Sequence, residues 1–226
     1  YREFDGVASV SNATTRLNQE QLLLEFGTVG PEVSCVHNVL DAEWVVDLAD
    51  REDESLWVST EHGYPRLIMM GRLSSEKNHK LMVQALPEVL KSYPKAVLMV
   101  LGSGPLKAQL EAEAARLGVA EHVLFAGQIS NPMPTLKAAD LMVMSSKHEG
   151  LPMVLLEAMT LGVPVVTTPV PGCVEAAQLG GGVVVEDEVA SLAAGVVAAL
   201  DSGIKTTFDV DLFNSEAMRE FESFVI

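Results

Sequence analysis

From Arg66 onward short apolar runs punctuate the chain: RLIMMG at 66–71, AVLMVLG at 96–102, HVLFAG at 122–127, DLMVMS at 140–145, VPVVTT at 163–168 and GVVVE at 182–186. None shows the apolar-polar alternation of a strand with one wet face. Uninterrupted apolar strands are what a sheet covered on both faces demands. Between them the period changes: Leu81, Ala85, Leu86, Val89 and Leu90 recur at helical spacing, as do Leu106, Leu110, Ala114 and Leu117. Gly118 closes the second set as a C-cap. Strand and helix in alternation predict a doubly wound α/β domain on a parallel sheet.

The first forty residues read as a separate piece. FDGVASVS (4–11) predicts a strand, a helix follows from Asn12 or Thr14 to Glu25, and PEVSCVHN (31–38) predicts a second strand. This is the end of an α/β unit without its beginning. Residues 49–63, rich in acids, predict a solvated connection, with the boundary between Asn38 and Tyr64. The expected organisation is therefore a remnant of a second Rossmann-like domain (1–40), a connection (41–63), the main domain (64–208) and a C-terminal helix (209–226). Gly180 to Gly182 mark a tight turn before the last strand.

Composition narrows the function classes. With 226 residues, 48% hydrophobic and 20% charged, the chain can bury a core, yet no apolar stretch approaches the ~20 residues of a membrane span. The opening YREFDG has no signal-peptide character. Fifteen Lys and Arg against 31 Asp and Glu give a net charge of −16, which repels nucleic acid and anionic lipid alike. The two cysteines, Cys35 and Cys173, make no metal-ligand spacing and too small a set for a disulfide framework, which points to a reducing cytoplasm. His37, His62, His79, His122 and His148 show no paired ligand spacing either, so no metal is expected.

In an open parallel sheet, ligands lie beyond the carboxyl ends of the strands. There the scarce cations and the glycines gather: Gly71, Arg72 and Lys77 after the first strand, Gly102-Ser103-Gly104 after the second, Gly127 after the third. Arg72 and Lys77 form a candidate anion clamp, or else solvate a loop. Gly102 and Gly104 lack the full dinucleotide spacing and serve equally well as a turn. After the fourth strand comes EGLPMVLLEAMTLGVPVVTT (149–168). Pro152 as the first helical residue leaves the amides of Met153, Val154 and Leu155 free, an anion site behind Gly150. Glu157 lies on a helix that is apolar nearly all round. It must meet a ligand or a structural partner such as Lys147 or Lys137. Carboxylates hold hydroxyls well, so Glu149 and Glu157 beside an anion site suggest a sugar phosphate.

The run EGLPMVLLEAMTLGVPVVTTPVPGCVE resembles the signature of retaining, nucleotide-sugar-dependent glycosyltransferases of the GT-B type, family 4, with the two acids of its Glu-x7-Glu motif at Glu149 and Glu157. GRLSSEKNHKLMVQAL, LGSGPLKAQLE and VLFAGQIS resemble further segments of that family in the same order. The resemblance implies that Arg72 and Lys77 neutralise the donor diphosphate and that Glu149, with Gly150, Leu151 and Met153, positions donor sugar and phosphates. It also implies that Glu157 binds the ribose hydroxyls, Val154 adds an amide, and Gly71, Gly102, Gly104, Gln128 and Ile129 border the nucleotide. Transfer would proceed with retention and without a metal or cofactor. The expected partners are the nucleotide sugar and an acceptor domain of which residues 1–40 are the end, so the chain alone would bind donor and transfer nothing. A sugar-nucleotide epimerase, a phosphorylase, a two-carboxylate glycosidase and a non-catalytic nucleotide-sugar-binding module are the competing readings.

Overall fold

The computed structural model describes residues 6–26, 32–51, 55–59 and 64–225. Six parallel strands form the main sheet: β3 (Arg66–Met70), β4 (Val97–Leu101), β5 (Val123–Gly127), β6 (Leu141–Met144), β7 (Val165–Thr167) and β8 (Val183–Val184), in the order β5-β4-β3-β6-β7-β8. All six apolar runs of the main domain are strands, as expected.

The absence of alternation in those runs has a direct cause. Leu67 and Met69 of β3, Leu98 and Val100 of β4, and Leu141 and Val143 of β6 point into one apolar layer. Their neighbours Ile68, Met99, Met142 and Met144 point into another. The first layer is closed by α3 (His79–Ser92), α4 (Lys107–Arg116) and α8 (Val189–Ser202), and the second by α2 (Ala42–Ala49), α5 (Met133–Lys137), α6 (Met153–Thr160), α7 (Pro171–Gly180) and α9 (Val210–Val225). Side chains on both faces of a strand are thus removed from water, and both must be apolar.

Residues 6–35 build a separate two-stranded parallel sheet from β1 (Gly6–Ser9) and β2 (Glu32–Cys35), with α1 (Asn12–Phe26) between them in the chain. α1 packs on α7. Its N-terminal amides are capped from that helix, because Glu175 accepts from Asn12 N at 3.0 Å and Ala13 N at 3.1 Å. α9 ties back to the connection through Asn214, which accepts from Leu40 N and donates to Leu40 O, both at 2.8 Å.

A helix precedes the acidic stretch 49–63, and a buried tryptophan lies within it. Asp41 caps α2 by accepting from Trp44 N at 2.9 Å, and Val45 and Ala49 are buried. Trp57 is buried as well, its indole N–H donating to Thr135 O at 2.7 Å. Residues 52–54 and 60–63 of that stretch, with His62, lie outside the described residues. Among the described residues no helix is long and apolar enough to cross a membrane.

Candidate functional site

The chain passes outward from β3 to β4 and β5, then returns to β6 on the other side of β3. At such a reversal of strand order, the loops after the two central strands part and leave a crevice at their carboxyl ends. Here those loops, 71–78 and 145–152, are bound together. Lys147 N donates to Glu76 O at 2.7 Å and Ser145 Oγ to Asn78 O at 2.9 Å. Lys77 Nζ lies 2.6 Å from Glu149 Oε1, with Glu149 only 10% exposed. Two residues assigned separately from sequence therefore form one ion pair across the switch point.

Gly71 is favoured by its backbone, with φ of +145°, and the Lys77 stem passes in ordinary contact, 3.7 Å from where a side chain would begin. Gly102 is required by the backbone: its φ of +141° lies in the region that favours glycine, and a Cβ there would stand 1.9 Å from Gly71 O. A Cβ on Gly104 would meet Leu73 O at 2.4 Å. These two glycines let loop 102–105 lie on loop 71–73, where Leu73 N donates to Ser103 O at 2.9 Å. Gly150 faces Val10 of the first unit, 3.0 Å from a notional Cβ. An open cleft of about 620 Å³ lies between α1 and α7, lined in part by Asn12, Arg16, Pro169, Pro171 and Gln178.

α6 begins one residue later than expected. Pro152 is its N-cap in extended conformation, and Leu155 N is taken by Pro152 O at 2.9 Å. The free amides are thus Met153 and Val154, which have no acceptor among the described residues. Leu155 is not available because the first turn closes on the cap carbonyl. Leu151 is buried in the second apolar layer, and Met153, Val154 and Ile129 pack against it. Gln128 is exposed at the end of the edge strand β5, away from the contact between Lys77 and Glu149.

Glu157 has no salt bridge and no hydrogen bond among the described residues, and the bridge to Lys137 considered above is not made, since Lys137 pairs with Asp50 at 2.6 Å. Burial raises the Glu157 carboxyl above its ordinary 4.5. A carboxyl whose pKa is raised on folding binds its proton more tightly in the folded chain, so stability falls as pH rises from the unfolded value through the folded one. Glu157→Gln is expected to raise the stability of the ligand-free chain at pH 7, to flatten its stability above pH 4.5, and to weaken nucleotide binding about 10-fold. Urea melts across pH and calorimetric titration check this; unchanged nucleotide affinity would remove Glu157 from the site.

Arg72 is exposed and without a partner among the described residues. Two nearby polar atoms, Ser74 Oγ in the same loop and His79 Nδ1 at the start of α3, are buried and without a hydrogen-bond partner among the described residues. Burial, then the nearby Lys77 cation, push the His79 pKa down to about 4, so it is neutral at physiological pH. Sequence reasoning passed over both residues. It also passed over Gly172, whose place beneath Gly150 has no signal in local sequence.

Residues 51–207 match the family model for glycosyl transferases group 1, and the chain belongs to that family. It is 28% identical over 168 residues to an uncharacterized glycosyltransferase of Methanocaldococcus jannaschii, covering 74% of this chain and 41% of the relative. It is 37% identical over 111 residues to the GDP-mannose-dependent alpha-(1-6)-phosphatidylinositol monomannoside mannosyltransferase of Mycolicibacterium smegmatis, covering 45% of this chain and 29% of the relative. The matches thus span less than half of these relatives. Among solved structures, HepE of Anabaena in complex with UDP and glucose superposes with a TM-score of 0.75 at 20% identity, covering 98% of this chain and 64% of HepE.

Proposed function

We propose that this chain holds the nucleotide-sugar donor of a retaining GT-B glycosyltransferase of family 4, and that residues 6–35 are the end of its acceptor-binding unit. The observation that carries the reading is the Lys77–Glu149 pair at the topological switch point, a cation and a hydroxyl acceptor in contact where a sugar diphosphate would lie. In the reaction, the bond from the anomeric carbon to the diphosphate oxygen breaks with its electron pair left on that oxygen, a bond to an acceptor hydroxyl oxygen forms, and the hydroxyl proton passes to the departing diphosphate. Arg72, Lys77 and the amides of Met153 and Val154 meet the charge that grows on the leaving diphosphate, the task for which fixed donors in a dry crevice are effective. Glu149 orients the sugar and Glu157 the ribose. With those cations and amides in place, the reaction needs no cofactor.

Relatives support the same substrate class, since one is named for GDP-mannose and HepE was solved with UDP. On this reading the chain alone binds donor without transferring sugar. The free thiols Cys35 and Cys173 suit a reducing cytoplasm, and a lipid-borne acceptor would bring the full enzyme to the membrane face.

Thermal denaturation with UDP, GDP, ADP and their sugars tests the proposal. A matching nucleotide at 100 times its Kd adds about 2.7 kcal/mol, which for a chain of this size raises Tm by roughly 5–10 °C. No shift with any of them, for a chain shown to be folded, would overturn it.

A further inference from the structure

Away from the crevice, and among the described residues, Cys35, His37 and Glu220 each offer a ligand atom within 4.8 Å of the others. Cys35 ends β2 and His37 follows two residues later. In extended backbone, side chains two apart share a face, which turns both toward α9, the helix that carries Glu220. Cys35 Sγ stands 3.7 Å from both ring nitrogens of His37, and Nδ1 stands 3.0 Å from Glu220 Oε1. Glu220 is held in this position: its Oε2 accepts the His37 backbone N–H at 2.9 Å and lies 2.8 Å from Nδ1, so both carboxylate oxygens face the ring.

The other side of the imidazole is arranged as well. His37 Nε2 lies 2.9 Å from Glu175 Oε1, and Glu175 is anchored by the α1 amides. A carboxylate on one ring nitrogen fixes the tautomer and raises the basicity of the other, which is the outer-shell arrangement typical of a metal-bound histidine. Phe213 packs edge-on against the ring, with centroids 5.6 Å apart, and gives it an apolar flank.

We propose that Cys35 Sγ, His37 Nδ1 and Glu220 Oε1 bind a zinc ion, with Glu175 as the outer carboxylate and solvent in the fourth position. Zinc bonds of about 2.0–2.3 Å place tetrahedral ligands roughly 3.3–3.8 Å apart. The Sγ to Nδ1 separation already fits, the Nδ1 to Oε1 separation needs to open by a few tenths of an ångström, and Sγ and Oε1 lie within 4.8 Å of one another. Thiolate and imidazole together select zinc over magnesium or calcium. On binding, the thiol proton and any proton on Nδ1 pass to solvent. The ligands come from the end of the first unit and from α9, and the outer carboxylate from α7, so the ion would fasten the three segments where the units meet. This role is structural and independent of nucleotide binding.

Zinc titration of the chelator-treated chain against a chromophoric competitor, with cobalt(II) as spectroscopic substitute, decides the matter. The expected result is one zinc per chain, a thiolate-to-cobalt charge-transfer band, and a higher Tm with zinc. Cys35→Ser should abolish the band and weaken zinc at least about 10-fold. Glu175→Gln should keep the band and weaken zinc about 10–100-fold. Circular dichroism confirms that each variant is folded, and Glu220→Gln, expected to weaken zinc as Cys35→Ser does, serves if one is not. Absence of stoichiometric zinc, a cobalt spectrum without the thiolate band, or wild-type affinity in folded Cys35→Ser would overturn the proposal.

Discussion

Lys77→Ala is expected to weaken nucleoside diphosphate binding by about 10- to 100-fold and to lower the stability of the free chain by about 1–3 kcal/mol. Both effects come from the same 2.6 Å contact. Removing the ammonium leaves Glu149, 10% exposed, as a carboxylate without its cation. On the proposed role it also removes a charge that meets the donor diphosphate, leaving the exposed Arg72 alone to do so. The two effects separate in the double variant. Lys77→Ala with Glu149→Gln should recover most of the lost stability, because a neutral amide tolerates burial better, and should recover none of the binding. Urea denaturation and calorimetric titration of the four proteins in this cycle provide the test. Equal nucleotide affinity in the wild type and Lys77→Ala would remove Lys77 from the phosphate site. In an enzyme that transfers sugar, the same change should cost about 100-fold in turnover, the scale of losing one electrostatic contact to a leaving group.

Gly172→Ala is the second large effect, with an expected loss of about 3 kcal/mol and a matching loss of nucleotide affinity. A Cβ at this position would stand 1.8 Å from Gly150 O and 2.8 Å from Glu149 O. Both atoms are backbone and cannot rotate away, so either α7 or loop 145–152 must move, and the Glu149 carboxylate moves with the loop. Gly162→Ala is the control. Nothing lies within 4 Å of its notional Cβ, but its φ of +78° is unfavourable for alanine, so the expected cost is only about 1 kcal/mol. Denaturation curves for the two variants decide: a Gly172→Ala protein no less stable than Gly162→Ala would mean that the loop does not depend on this contact.

The legible and the illegible parts of the chain differ in the range of the interaction that determines them. β3, β4 and β6 could be read because a strand buried on both faces is apolar throughout, a local property. Their order in the sheet could not, and with it the fact that Lys77 and Glu149 meet, since six similar runs carry no record of who neighbours whom. α2 was hidden because Trp44, Val45, Leu48 and Ala49 stand beside a run of acids, whose solvated appearance dominated the local composition. Trp57 is buried by a carbonyl 78 residues away. For Glu157 the sequence left a structural bridge and a ligand level; pairing of Lys137 with Asp50 removes one named bridge. Gly102 and Gly104 read from the sequence as a turn or, on the resemblance, as a border of the nucleotide, and their immediate neighbours are the backbone of Gly71 and Leu73. Tertiary crowding of that kind leaves only a glycine in the sequence, the same mark that an approaching ligand would leave.

The stitching of loop 71–78 to loop 145–152 bears on how such a site changes over time. A backbone bond from Lys147 to Glu76, a hydroxyl bond from Ser145 to Asn78 and an ion pair from Glu149 to Lys77 give the two loops a common geometry. Neither can be remodelled toward a new sugar or base while the other keeps its shape. On the proposed donor-binding role, the heritable unit of specificity is the pair of loops, and any recombination that separates Gly71–Asn78 from Ser145–Pro152 would have to rebuild their junction before it could select a ligand.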